Sequence, residues 1–133
     1  MKIFLIILIL LSNTIKAQVI KITAYHFSFF DPFPYSGGPY QDQIKTFSRC
    51  RKYVSRNKQM RRDIDKYLSK LDTSRDYISL TGAEDVQLLI EVKYLGGKIK
   101  KIYAWNNGEM FYNQKLFKRD EYFINLIEKN LDI

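Results

Sequence analysis

The chain has 133 residues, with 22 lysines and arginines against 14 aspartates and glutamates, a net charge of +8, one cysteine and one histidine. A single cysteine excludes an internal disulfide framework, so a packed core must hold the fold. A single histidine excludes paired-histidine metal sites and two-histidine nuclease chemistry.

Met1 to Ala17 follows the plan of a secretory signal peptide: Lys2, the apolar run Ile3 to Leu11, then TIKA before Gln18. The run falls short of the roughly 20 apolar residues that a membrane helix needs. No cysteine stands near the junction to carry a lipid. The expectation is therefore an exported protein, periplasmic or extracellular, that meets a membrane only if the leader stays uncleaved. Residues 18–133 would then form a single domain of 116 residues, enough for one core. The leader holds two basic residues and no acidic one, so its loss lowers the charge to +6. The chain has no Asn-x-Ser/Thr sequon, which favours a bacterial origin.

From Gln18 to Phe30, Ile20, Ile22, Ala24 and His26 alternate with Lys21, Thr23, Tyr25, Phe27 and Phe29, as in a strand. Apolar residues on both faces of its later half place it inside a sheet or under a loop, not at a bare edge. Asp31 to Tyr40 holds all three prolines and Gly37-Gly38, so it is a loop. Its aromatics and those before it, Phe29, Phe30, Phe33, Tyr35 and Tyr40, either plug a sheet edge or wall a groove. Gln41 to Val54 reads as mixed: Ile44, Phe47, Cys50 and Val54 fit helical spacing, while Tyr53-Val54 suits a short strand. Asn57 or Ser55 can cap a helix from Lys58 to Leu71, in which Met60, Ile64, Tyr67, Leu68 and Leu71 form one apolar stripe. Asp72 to Asp85 has no clean period and reads as a connection, with a short extended piece at Tyr77 to Leu80.

Asp85 to Tyr112 reads as a three-stranded antiparallel meander. Gly96-Gly97 and Asn107-Gly108 each suit a two-residue hairpin loop, which demands positive φ. That loop length sets Tyr94 opposite Ile99, Ile90 opposite Tyr103, Leu88 opposite Trp105 and Trp105 opposite Met110, all on one apolar face. Lys101 is the exception, its stem expected along Val92 and its ammonium at the rim. The second face would carry a short apolar strip, Leu89, Ala104 and Phe111, and a like-charge pair, Lys93 and Lys100. Asn113-Gln114 turns into a brief further strand at Lys115 to Phe117. Asp120 suits the N-cap of a second helix with Phe123, Ile124, Leu126, Ile127 and Leu131 on its apolar stripe. The expected fold is α+β: an antiparallel sheet of four to five strands, the N-terminal strand plus the meander, packed on one face by two helices.

No nucleotide, metal or nucleophile motif is present, and nothing in the sequence asks for a cofactor. Ser36-Gly37-Gly38 offers a backbone nest for an anion, although a Gly-Gly-Pro turn needs no ligand to explain it. The strongest chemical bias lies between Lys45 and Lys70, where ten basic residues face only Asp63 and Asp65. A solvated helix face explains Lys58, Arg62, Lys66 and Lys70. A binding surface requires Arg49, Arg51, Lys52 and Arg56 to converge with Arg61 or Arg62 and meet an acidic protein or an anionic surface. Export disfavours nucleic acid as the partner. A single-strand binder would also need Tyr53 and Phe47 exposed beside those arginines. The expectation is a small exported, non-enzymatic binding module of the inhibitor or accessory type, with the strip Leu89, Ala104 and Phe111 as a second contact surface. The alternative is a small hydrolase or nuclease acting on a phosphate-bearing substrate through His26 and neighbouring arginines such as Arg49 and Arg51.

Overall fold

A computed structural model describes residues 18–27, 41–46, 50–78, 86–105 and 108–131. The leader, the proline loop with its aromatics and its Ser36-Gly37-Gly38 turn, Phe47, Arg49 and Glu84-Asp85 lie outside these residues. Six antiparallel strands form one sheet: β1 Val19–His26, β2 Arg51–Ser55, β3 Val86–Tyr94, β4 Ile99–Trp105, β5 Met110–Tyr112 and β6 Lys115–Phe117, in the order β2-β1-β3-β4-β5-β6. The sheet therefore exceeds the expected four to five strands, because Arg51–Ser55 pairs along β1 with Ala24 opposite Tyr53. β1 is interior, between β2 and β3, as its two apolar faces implied. Ahead of β2, Gln41–Thr46 is a short 3-10 helix.

Two helices cover one face. Helix α1, Lys58–Thr73, is capped by Asn57, whose side chain accepts from Met60 N–H at 3.0 Å, and the Ser55 hydroxyl accepts from Asn57 N–H. Its buried residues are the five of the expected stripe, Met60, Ile64, Tyr67, Leu68 and Leu71. Helix α2, Glu121–Leu131, follows Asp120, whose carboxylate accepts from Tyr122 N–H. Its buried stripe is narrower than expected: Phe123, Ile127 and Leu131 are buried while Ile124 and Leu126 are half-buried. α1 starts just after β2 and reaches β4 and β5 through Asp72; α2 leaves β6 and lies back against β2. Between helices and sheet, Ile22, Ala24, Ile90, Val92, Ile102 and Met110 form the main core.

The strands lie where expected, but the β4 register is one residue off. Tyr94 N–H donates to Lys98 O at 2.8 Å and Gly97 N–H to Tyr94 O at 3.0 Å, so Leu95, Gly96 and Gly97 make a three-residue loop. Both glycines have φ of +97°, a region that L side chains rarely enter. One extra loop residue moves every pair by one: Ile90 faces Ile102, Leu89 faces Tyr103 and Leu88 faces Ala104. The next hairpin does the same, with Trp105 N–H bonded to Glu109 O and Ala104 opposite Met110. Because side chains alternate at period two, the slip inverts β4. Ile102 and Ala104 point toward the helices, whereas Tyr103 and Trp105 point to the other face. Lys100, not Lys101, pairs with Val92 and sends its ammonium to the Asp72 carboxylate at 3.0 Å. A bulge between Val86 and Leu88 then aims Val86 into the same cluster as Trp105. The true two-residue turn with positive φ at both positions is Asn113-Gln114, φ 48° and 60°.

Tyrosines line the border of the main core, and each finds an acid on a helix or its cap. Tyr94 donates to Asp65 at 2.9 Å, Tyr112 to Asp72 at 2.7 Å and Tyr67 to Asp120 at 2.9 Å. Burial first, then the hydrogen bond to a carboxylate, pushes all three phenols well above the ordinary tyrosine value.

Candidate functional site

The corrected register dissolves the expected apolar strip. Ala104 lies beneath the helices, while Leu89 and Phe111 lie on the opposite face. Leu89 is fully buried in a second, smaller core with Phe27, Ile44, Val86, Trp105 and Leu116. Phe111 is half-buried, with its ring stacked on Trp105 at 6.4 Å and tilted against Tyr103 at 6.2 Å. The three residues therefore share no continuous exposed patch.

The basic residues divide by task. Arg61 faces inward, its guanidinium donating to Val19 O at 3.1 Å and Ile20 O at 3.5 Å, where the β1–β3 register shifts. It ties α1 to the start of β1. Arg62 is exposed on α1. Arg51 and Lys52 open β2 opposite His26 and Tyr25, and Arg56 follows its end; all three are exposed. Lys52 and Lys45 hold their ammonium groups 5.8 Å and 5.1 Å from the Tyr25 ring, and Lys45 also pairs with the Glu91 carboxylate. Tyr53 is half-buried against the main core, so it offers no stacking platform beside the arginines.

These residues mark one edge of the sheet, and the two edges differ. At β6 the outer side is closed: Ile78 forms a bridge to Leu116, its N–H donating to Leu116 O at 2.7 Å. At β2, among the described residues, the only strand pairing is with β1. Val54, next to last in that strand, is 51% exposed. Charged side chains such as Arg51, Lys52 and Arg56 are common on and beside an edge strand. The sequence leaves Val54 between a helical set and a short strand at Tyr53-Val54, and its pairing to Thr23 places it in the strand at the sheet's edge.

His26 is half-buried at the same end of the sheet. Burial, and then the Arg51 charge, holds its imidazole below the usual histidine value, so it is neutral at neutral pH. Cys50, beside Arg51, is half-buried and burial pushes its thiol up, which makes it a poor nucleophile. A cleft of about 280 Å³ opens between the end of α1 and the start of α2, with Met110 and Phe117 in its floor. Lys70, Lys118 and Arg119 line it together with Asp76, Asp120 and Glu121, so its charges select neither sign of ligand. Among the described residues no group of three or more His, Cys, Asp or Glu could hold a metal ion, and no helix is long and apolar enough to cross a membrane. Compared with known proteins, the chain matches no family model, no curated protein and no solved structure.

Proposed function

We propose that the protein is a small exported, non-enzymatic binding module whose β2 edge takes an extended acidic segment of a partner protein. The contrast between the edges carries this: β6 is closed by Ile78, whereas β2 has no outer strand among the described residues and presents Arg51, Lys52 and Arg56 around exposed Val54. Strand addition uses such an edge for main-chain hydrogen bonds, and alternate side chains then supply selectivity. The cations on and just beyond β2 favour carboxylates and raise the association rate at low salt.

The test is capture from the envelope fraction with three baits: the unaltered protein, Arg51→Glu with Lys52→Glu, and Val54→Pro. An acidic partner should be retained by the first and lost by both others, and salt should elute it. Equal recovery on all three baits removes the edge from the account. Turnover of a phosphate ester by the purified protein, abolished by His26→Ala, would replace binding with the hydrolase alternative, which rests on the neutral imidazole beside Arg51.

A further inference from the structure

The β3–β4 hairpin carries two apolar side chains that the cores leave exposed, Leu95 at 64% and Ile99 at 46%. A single exposed apolar side chain is ordinary on a protein surface, but here two stand in one hairpin. Around this pair stand three lysines: Lys21 and Lys93 are half-buried and Lys98 is exposed. Lys21 on β1 faces Lys93 on β3, and Lys93 faces Ile99 on β4, so two like charges sit side by side next to an exposed isoleucine. Lys98 is exposed in the loop's closing pair. Glu91 pairs with Lys45, Asp65 accepts from Tyr94, and Asp72 pairs with Lys100 and Tyr112 and also feels the Lys98 charge.

The start of the chain meets the same end of the sheet. Leu95 N–H donates to Gln18 O at 2.7 Å, so whatever precedes β1 departs beside the tip. Residues 12–17 separate Gln18 from the apolar run Ile3 to Leu11, and six extended residues reach at most ~20 Å. Only with the leader uncleaved would an apolar run in a bilayer hold the tip within about that distance of it.

We propose that this end of the sheet is a lipid-contact surface, in which Leu95 and Ile99 enter the headgroup region of an anionic bilayer and Lys21, Lys93 and Lys98 meet its phosphates. An apolar point framed by lysines is the pattern by which proteins seat on anionic membranes. The surface lies at the opposite end of the sheet from Arg51 and Lys52 and stands whether or not β2 takes a partner.

The test uses the full chain in a Cys50→Ser background, with Leu95→Cys or Val54→Cys carrying an environment-sensitive fluorophore. Vesicles of phosphatidylcholine, alone or mixed equally with phosphatidylglycerol, carry a lipid-attached quencher. With phosphatidylglycerol, the probe at position 95 should be quenched and that at 54 should not. Lys21→Ala, Lys93→Ala and Lys98→Ala should each weaken the titration about fivefold, and Arg51→Glu with Lys52→Glu should leave it unchanged. Equal quenching at both positions, or quenching indifferent to phosphatidylglycerol and to the lysines, overturns the proposal, since attachment would then come from the leader alone. Circular dichroism of each variant separates lost binding from lost fold.

Discussion

The two faces of the sheet are built on different plans. Toward the helices, Ile22, Ala24, Ile90, Val92 and Ile102 are buried along the strands, and the polar groups at their border are tied off in tyrosine–aspartate bonds. The other face is a gradient. Phe27, Leu89, Val86 and Trp105 are buried at one end, Glu91 and Lys45 pair in the middle, and at the far end half-buried Lys21 and Lys93 stand beside exposed Ile99. One face is buried along the strands, and the other only at one end. The lesson is that burial differs within a face as much as between faces, so positions two rows apart should respond very differently to substitution.

The largest expected effect tests the buried ends of both faces. Leu68→Ala and Leu89→Ala each remove a fully buried side chain and should cost about 2–5 kcal/mol in denaturant unfolding. A small loss at Leu89 would mean the second core is not a core. Next comes Tyr112→Phe, which removes a donor to a charged acceptor and should cost about 1.5 kcal/mol, the low end for such bonds because Asp72 keeps Lys100 and some water.

That bond also predicts two pH limbs. Burial pushes Asp72 up, but hydrogen bonds from Tyr112 and Lys100 outweigh it and hold the carboxyl below its usual value. Its contribution is present above the ordinary aspartate value, about 3.9, and is lost as pH falls through the lower folded value. The tyrosines run the other way. Their raised values give stability that is complete below the ordinary tyrosine value of about 10 and lost as pH rises through the folded ones. Thermal unfolding across pH should show both limbs, and Tyr112→Phe should weaken both. A Tyr112→Phe profile parallel to that of the unaltered protein would remove this bond as their source.

A smaller effect is expected at the helix cap: Asn57→Ala should cost about 1 kcal/mol by freeing Met60 N–H. The smallest belongs to the exposed end of the gradient. Leu95→Ala and Ile99→Ala should change stability by less than about 0.5 kcal/mol, which would show that those side chains are not held for the fold. A loss as large as at Leu89 would erase the contrast within the second face.

Local chemistry carried much of this architecture in readable form. Asn57, the 58–71 stripe and the Asp120 cap announced two helices, and alternation announced β1, β3 and the meander. The candidate site was less legible. Arg61 and Arg62 are neighbours with the same side chain, yet one bonds β1 carbonyls and the other meets solvent. Which does which depends on where α1 crosses the sheet, and no spacing rule contains that. Exposure at Val54, likewise, follows from β2 lying at an edge.

By itself the sequence determined the two helices, β1 and the strands of the meander, because period, caps and positive-φ residues act over a few neighbours, but it left 41–54 open between helix and strand. Only the tertiary structure decided the face of β4. Two adjacent glycines satisfy a two-residue or a three-residue loop equally well, and the choice falls to what packs beneath the helices. There Ile102 and Ala104 fit the space facing Ile90, Leu88 and Met110, while Tyr103 and Trp105 find their volume beside Phe111 on the other side.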